Sequence, residues 1–140
     1  MLDLTSIKDA INSLRVALKV ACDNEQIARM GSDVKDTVIA GVIQNFEFTY
    51  ELCWKFMKRT LEADLGSAYV DGLNRRELFR LAAEHRLISE VERWMEYHDK
   101  RNETSHTYNK TTAKEVFEAA TPFLKDAEEL LSNLEKRNAP

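Results

Sequence analysis

Between Asp33 and Asp64 the chain contains no proline and one glycine, Gly41, and its apolar residues repeat with a helical period. At about 100° per residue, Ile39, Ile43, Phe46, Tyr50, Cys53 and Met57 fall on one stripe. Phe48, Leu52 and Phe56 form a second, displaced stripe. Together they make an apolar arc of roughly 200°, with Gln44, Glu47, Glu51, Lys55, Lys58 and Glu62 on the remaining face. An arc that wide needs two neighbours, or one neighbour plus a second subunit. Ser32 or Asp33 is placed to cap the start and Gly66 to end it.

The rest of the chain must supply what covers that arc. Ile7, Ile11, Leu14, Leu18 and Ala21 recur at spacings of four and three, which predicts a first helix over about 5–28, capped by Thr5 or Ser6. Asn74 followed by Glu77 is a capping-box pattern that opens a short third helix. Ser89 with Glu92 repeats the pattern and opens a fourth, whose seam reads Val91, Trp94, His98, Arg101, Ser105, Tyr108. Thr112 with Glu115 opens a fifth, with Val116, Phe117, Phe123, Leu124, Leu130, Leu131 and Leu134 on its apolar face. Pro122 removes a backbone donor inside this helix and is expected to kink or split it. The closing stretch, EKRNAP, is expected to fray.

Only four glycines and two prolines occur in 140 residues, so long helices with short links are favoured over sheet. The prediction is all-α: one domain over 1–140, an antiparallel up-and-down four-helix bundle with an additional short helix. A net charge of −4 argues against a generic polyanion binder, so any nucleic-acid contact must be local or shared with a partner. Neither DNA nor a membrane is expected as a partner. Cys22 and Cys53 lie in helical patterns without a CxxC, and both are read as reduced core residues. No apolar run approaches ~18 residues and no leader-like segment is visible, which points to the cytoplasm.

The stretch KRNETSHTYNK, residues 100–110, departs from this pattern. Arg101 continues the stripe of Trp94 and His98, turning the seam from apolar to cationic. A buried arginine is costly unless paired. Alternatively the helix ends there and Arg101 faces solvent, favoured by the helix dipole. On an unbroken helix His106 points about 140° from Arg101. For Arg101, His106 and Tyr108 to converge, the helix must stop between 101 and 106, or a second subunit must contribute. Thr104, Ser105 and Thr107 permit a break. Converged, the groups suit RNA cleavage without a metal: histidine moves a proton near neutral pH and arginine holds a phosphate through two parallel hydrogen bonds.

RNETSHTY fits R-x-x-x-x-H-x-Y and resembles the signature of HEPN-domain proteins. IQNFEFTYELCWKFMKRTLEADLG and ERWMEYHDKRNETSHTYN resemble one branch of them. That branch is the nucleotidyltransferase substrate-binding proteins, which include toxins paired with minimal nucleotidyltransferases. The resemblance covers roughly residues 40–115. It implies that Arg101 and His106 are a ribonuclease pair, with Asn102 the polar residue beside the arginine. It implies that Tyr108 accepts AMP from the partner nucleotidyltransferase. It also implies a homodimer with the two motifs facing one cleft, RNA as substrate or a nucleotide as ligand, and no cofactor. AMP on Tyr108 would set an anion beside Arg101 and block a substrate phosphate.

Other residues carry two readings each. Glu47 and Glu51, at i and i+4, either line the site or belong to the surface, Glu51 pairing with Lys55. No metal motif accompanies them. Trp54 and Trp94 either stack a base or pack the core or a dimer contact. Arg75, Arg76, Arg80 and Arg86 read as a solvated face, and His85 and His98 as surface and seam residues without partners in spacing. Three functions remain open: a ribonuclease toxin, a binding subunit that cleaves nothing, and a purely structural dimerising bundle. The last explains the helices but not Arg101, His106 and Tyr108 together.

Overall fold

The computed structural model describes residues 1–139, and Pro140 lies outside them. The helices are α1 (Thr5–Ala21), α2 (Asn24–Arg29), α3 (Ser32–Leu65), α4 (Ser67–Asp71), α5 (Arg75–Glu84), α6 (Val91–Asn102) and α7 (Lys110–Asn138). A 3-10 turn, Thr104–His106, joins α6 to α7. No strand occurs among the described residues.

Helices α1, α3, α6 and α7 form the bundle, and cross-helix contacts fix their directions. Ser13 donates to Asn45 and Thr49 to the Ala10 carbonyl, so α1 and α3 run antiparallel. Arg93 meets Asp126 and Lys100 approaches Glu115, so α6 and α7 do too. Arg15 reaches Glu128 while Leu2 meets Asn138, which opposes α1 to α7. The order is up, down, up, down. The core follows the predicted spacing: Ile7, Ile11, Leu14 and Leu18 from α1, Ile43, Phe46, Tyr50, Cys53 and Met57 from α3, and Val116, Phe123, Leu130 and Leu134 from α7 are buried. An aromatic cluster sits at its centre, with Phe123 against Phe46, Tyr50, Trp94 and Tyr97.

Several local expectations need correction. The first helix does not run to 28: the Asp23 carboxylate accepts from the Gln26 N–H and starts α2, because an aspartate competes well for a free backbone donor. Helix α1 is capped at Leu4, and Asp3 takes the Thr5 donors instead. Gly31, not Ser32 or Asp33, precedes α3. Gly66 does end α3, with φ +90°, and the short α4 follows it. The Asn74–Glu77 capping box forms in full. The Ser89–Glu92 box does not: Glu129 of α7 takes both Ser89 donors, Arg76 takes Glu92, and Glu90 is the cap. Asn109 displaces Thr112 as the cap of α7 by accepting from Thr111 and Thr112.

Helix α7 passes Pro122 as one helix. Pro122 lies on the exposed face, where water can serve the Glu118 carbonyl left without its donor. The chain end holds as helix to Asn138, whose carboxamide bonds both the N–H and the carbonyl of Leu2. Helix α6 buries Trp94 of the expected seam and Tyr97, which lies outside it, while Ser105 and Tyr108 lie past the helix end. Cys53 is buried but Cys22 is exposed, so only one of the two is a core residue; both are free.

Candidate functional site

Helix α6 stops at Asn102 for a local reason. The Glu103 N–H turns back to the Asp99 and Lys100 carbonyls, and the Thr104 hydroxyl bonds the Arg101 carbonyl at 2.8 Å, taking an acceptor the next turn would need. The 3-10 turn follows, closed by His106 N–H on the Glu103 carbonyl at 2.9 Å. Thr107 then bonds the Thr104 carbonyl, and Asn109 opens α7. The break thus falls between Arg101 and His106, where convergence requires it.

Arg101 is neither free in solvent nor unpaired. Its Nε donates to Glu51 at 3.0 Å, its Nη2 lies 3.7 Å from Glu47, and its Nη1 lies 3.4 Å from the Thr104 hydroxyl. Both glutamates of α3 therefore face the arginine. Glu51 is engaged by Arg101 and by the Trp54 indole N–H at 3.1 Å, and the expected pairing with Lys55 is absent. His106 is exposed, and Tyr108, 85% exposed, stands edge-on to it with ring centroids 6.2 Å apart. Asn102 is also exposed, with its amide nitrogen 3.5 Å from His98 Nε2.

Trp94 is fully buried against Phe79, Tyr97 and Phe123, which is the packing role of its two readings. Trp54 is half-buried, with the Arg75 guanidinium 3.8 Å over its ring. Two shallow hollows lie elsewhere, at the chain ends near Leu2 and Asn138 and beside Tyr69 and Arg80; neither includes Arg101 or His106. Among the described residues, no group of three or more His, Cys, Asp or Glu is placed to hold a metal ion, and no helix is long and apolar enough to cross a membrane.

One polar chain beside the motif was not foreseen. Arg75 of α5 donates to the Tyr50 hydroxyl at 3.1 Å, and that hydroxyl lies 2.8 Å from His98 Nδ1. Arg75 is thus a bridging residue, not part of a solvated face, and His98 has partners on two helices. His85 likewise lies 3.3 Å from Asp64. Spacing within one helix carries no signal for such contacts between helices. Its one available hint was a tyrosine facing the seam four residues before Trp54.

Burial lowers the His98 pKa below the ordinary histidine range, and the Arg75 charge adds to the effect. The unfolded chain therefore binds this proton more readily than the folded one. Stability contributed by neutral His98 is present above the ordinary value and is lost as pH falls through that value toward the folded one. Urea unfolding at about pH 7.5 and about pH 5.5 should show this loss in the wild type and a smaller one in His98→Gln. Equal pH dependence in both would refute it.

The profile of the family described as "Nucleotidyltransferase substrate binding protein like" matches residues 2–136. The chain belongs to this family. The matched span includes Glu47, Glu51, Arg101, Asn102, His106 and Tyr108. The chain is similar to "Probable ribonuclease HepT" of Haemophilus influenzae, 36% identical over 138 residues, covering 98% of this chain and 94% of that protein. A solved Haemophilus influenzae structure, described as the fold of a substrate-binding domain of a nucleotidyltransferase, superposes with a TM-score of 0.91 at 35% identity over 95% of this chain and 99% of that one. A crystal structure from Thermus thermophilus superposes with a TM-score of 0.66 at 26% identity over 89% and 98%. The nucleotidyltransferase substrate-binding fold is therefore this all-helical bundle.

Proposed function

We propose that this chain is a HEPN-type ribonuclease toxin that works as a cytoplasmic homodimer and is silenced when a partner minimal nucleotidyltransferase transfers AMP to Tyr108. The observation that carries this reading is the break after Asn102, which leaves His106 and Tyr108 exposed one turn beyond an arginine held by two carboxylates. His106 takes the proton of a ribose 2′-OH, the oxygen attacks the adjacent phosphorus, and the 5′-oxygen leaves and regains a proton. The products are a 2′,3′-cyclic phosphate and a 5′-hydroxyl. Glu47 and Glu51 hold the Arg101 guanidinium in place, and its remaining N–H donors meet the developing phosphate charge. The similarity to a probable ribonuclease supports cleavage. Phe48, 54% exposed on α3, offers an apolar contact to a second copy, while Leu52 and Phe56 of the same stripe pack within the bundle.

AMP on the Tyr108 oxygen would bring a phosphate to the same arginine and exclude the substrate's. A second reading is a binding subunit that presents a nucleotide or other substrate to a separate nucleotidyltransferase and cleaves nothing. The carboxylates that already neutralise Arg101 favour it.

One experiment separates the two. Purified protein is incubated with single-stranded RNA in excess chelator, and the same protein is co-expressed with a minimal nucleotidyltransferase for peptide mass analysis. Cyclic-phosphate ends from the first sample and AMP on Tyr108 in the second are the expected results. Intact RNA with folded, unmodified protein would remove the toxin reading and leave the binding subunit. Unmodified Tyr108 throughout would remove AMP transfer.

A further inference from the structure

We propose that His98 is a positioning residue for Asn102: Arg75 and Tyr50 pin its ring as the Nε2–H tautomer, and that N–H holds the Asn102 carboxamide by its oxygen, leaving the amide N–H2 free to donate. The argument starts at Tyr50, which is fully buried. Its hydroxyl meets two groups, Arg75 Nη1 at 3.1 Å and His98 Nδ1 at 2.8 Å. A guanidinium only donates, so the hydroxyl accepts from Arg75 and its own proton must go to Nδ1. A buried hydroxyl without an acceptor is costly, which enforces this direction. Burial also pushes the Tyr50 pKa up, so the proton stays on the phenol.

With Nδ1 accepting, neutral His98 carries its hydrogen on Nε2. That edge lies 3.5 Å from the Asn102 amide nitrogen, at the outer limit of a hydrogen bond. Two N–H donors cannot bond each other, so the carboxamide turns its oxygen to the ring. The charged and titratable groups around the imidazole are Tyr50 and Glu51 on α3, Arg75 on α5, and Asp99 and Arg101 on α6. The two guanidinia oppose a third cation at this position.

The consequence is a fixed polarity. An unconstrained asparagine can show a ligand either its oxygen or its N–H2. Held by His98, Asn102 offers only donors, the polarity a phosphate oxygen requires. That final step rests on the ribonuclease reading; the tautomer and the carboxamide orientation do not.

The test uses the full-length, 15N-labelled chain. Long-range 1H–15N correlation should report Nε2–H at His98 near neutral pH, with both tautomers populated in Tyr50→Phe. The Asn102 side-chain amide signals should move with the same midpoint as the His98 ring. An Nδ1–H ring in the wild type, or an Asn102 amide indifferent to that titration, overturns the proposal. On RNA, His98→Ala and Asn102→Ala should each lower kcat about tenfold, His98→Gln should recover part of the loss, and the double variant should match Asn102→Ala alone. Losses that multiply would also overturn it. Wild-type protein that cleaves nothing but shows the tautomer and the shared midpoint would sink the ribonuclease reading and leave the positioning role standing.

Discussion

Replacing His106 by alanine is expected to lower the rate of RNA cleavage by about 10²–10⁴-fold, the usual contribution of a positioned general base. His106 carries the one imidazole of the 100–110 stretch, and nothing in the core depends on it. It is exposed, ends a 3-10 turn, and its side chain meets only the edge of Tyr108. Substitution at such a position should leave stability within about 0.5 kcal/mol. Loss of activity with an unchanged unfolding curve would therefore be a chemical effect. In cells, expression of the wild type without its partner should slow growth, and His106→Ala should relieve the effect. A variant that still cleaves RNA at the wild-type rate would take the proton-transfer role away from this residue.

The second large effect is on stability. Phe123→Ala should destabilise the fold by about 3–5 kcal/mol. Phe123 is fully buried at the hub of the aromatic cluster, with ring centroids 4.9 Å from Phe46, 5.1 Å from Tyr97, 5.8 Å from Trp94 and 6.4 Å from Tyr50. The cavity left would border all four, and rigid neighbours on two other helices cannot collapse into it. Against a typical total of about 5–15 kcal/mol, this is a large share. Tm should fall by about 10–20 °C. Two of the four neighbours carry polar contacts: Tyr97 donates to the buried Asp126 carboxylate that also pairs with Arg93, and Tyr50 bonds His98. Packing loss at Phe123 should therefore loosen the ring beside Asn102 as well. Urea unfolding that shows less than about 1 kcal/mol of loss would mean the cluster is not the hub of the core.

Helical periodicity made the four bundle helices and most of their buried faces legible, because apolar residues at spacings of three and four line one face of a helix, which packs inward. The R-x4-H-x-Y stretch was equally legible, and so was the need for a helix break inside it. Local capping was less so. Asn109 replaced Thr112 as a cap, Glu129 replaced Glu92 as the acceptor for Ser89, and Asp23 opened a separate helix within the expected first one, since several side chains could serve each helix end and only packing chose between them. The exposure of Cys22 and the persistence of α7 through Pro122 depended in the same way on which face met water.

By itself the sequence determined an all-helical chain, a wide apolar arc on its longest helix, and a cluster of arginine, histidine and tyrosine where that order lapses. The tertiary structure decided who meets whom. Glu47 and Glu51 grip Arg101 from another helix, and Arg75, Tyr50 and His98 join three helices behind Asn102. The reason is geometric: spacing along one helix fixes the face a residue occupies, but the partner across an interface is set by how the helices slide and rotate when the core closes.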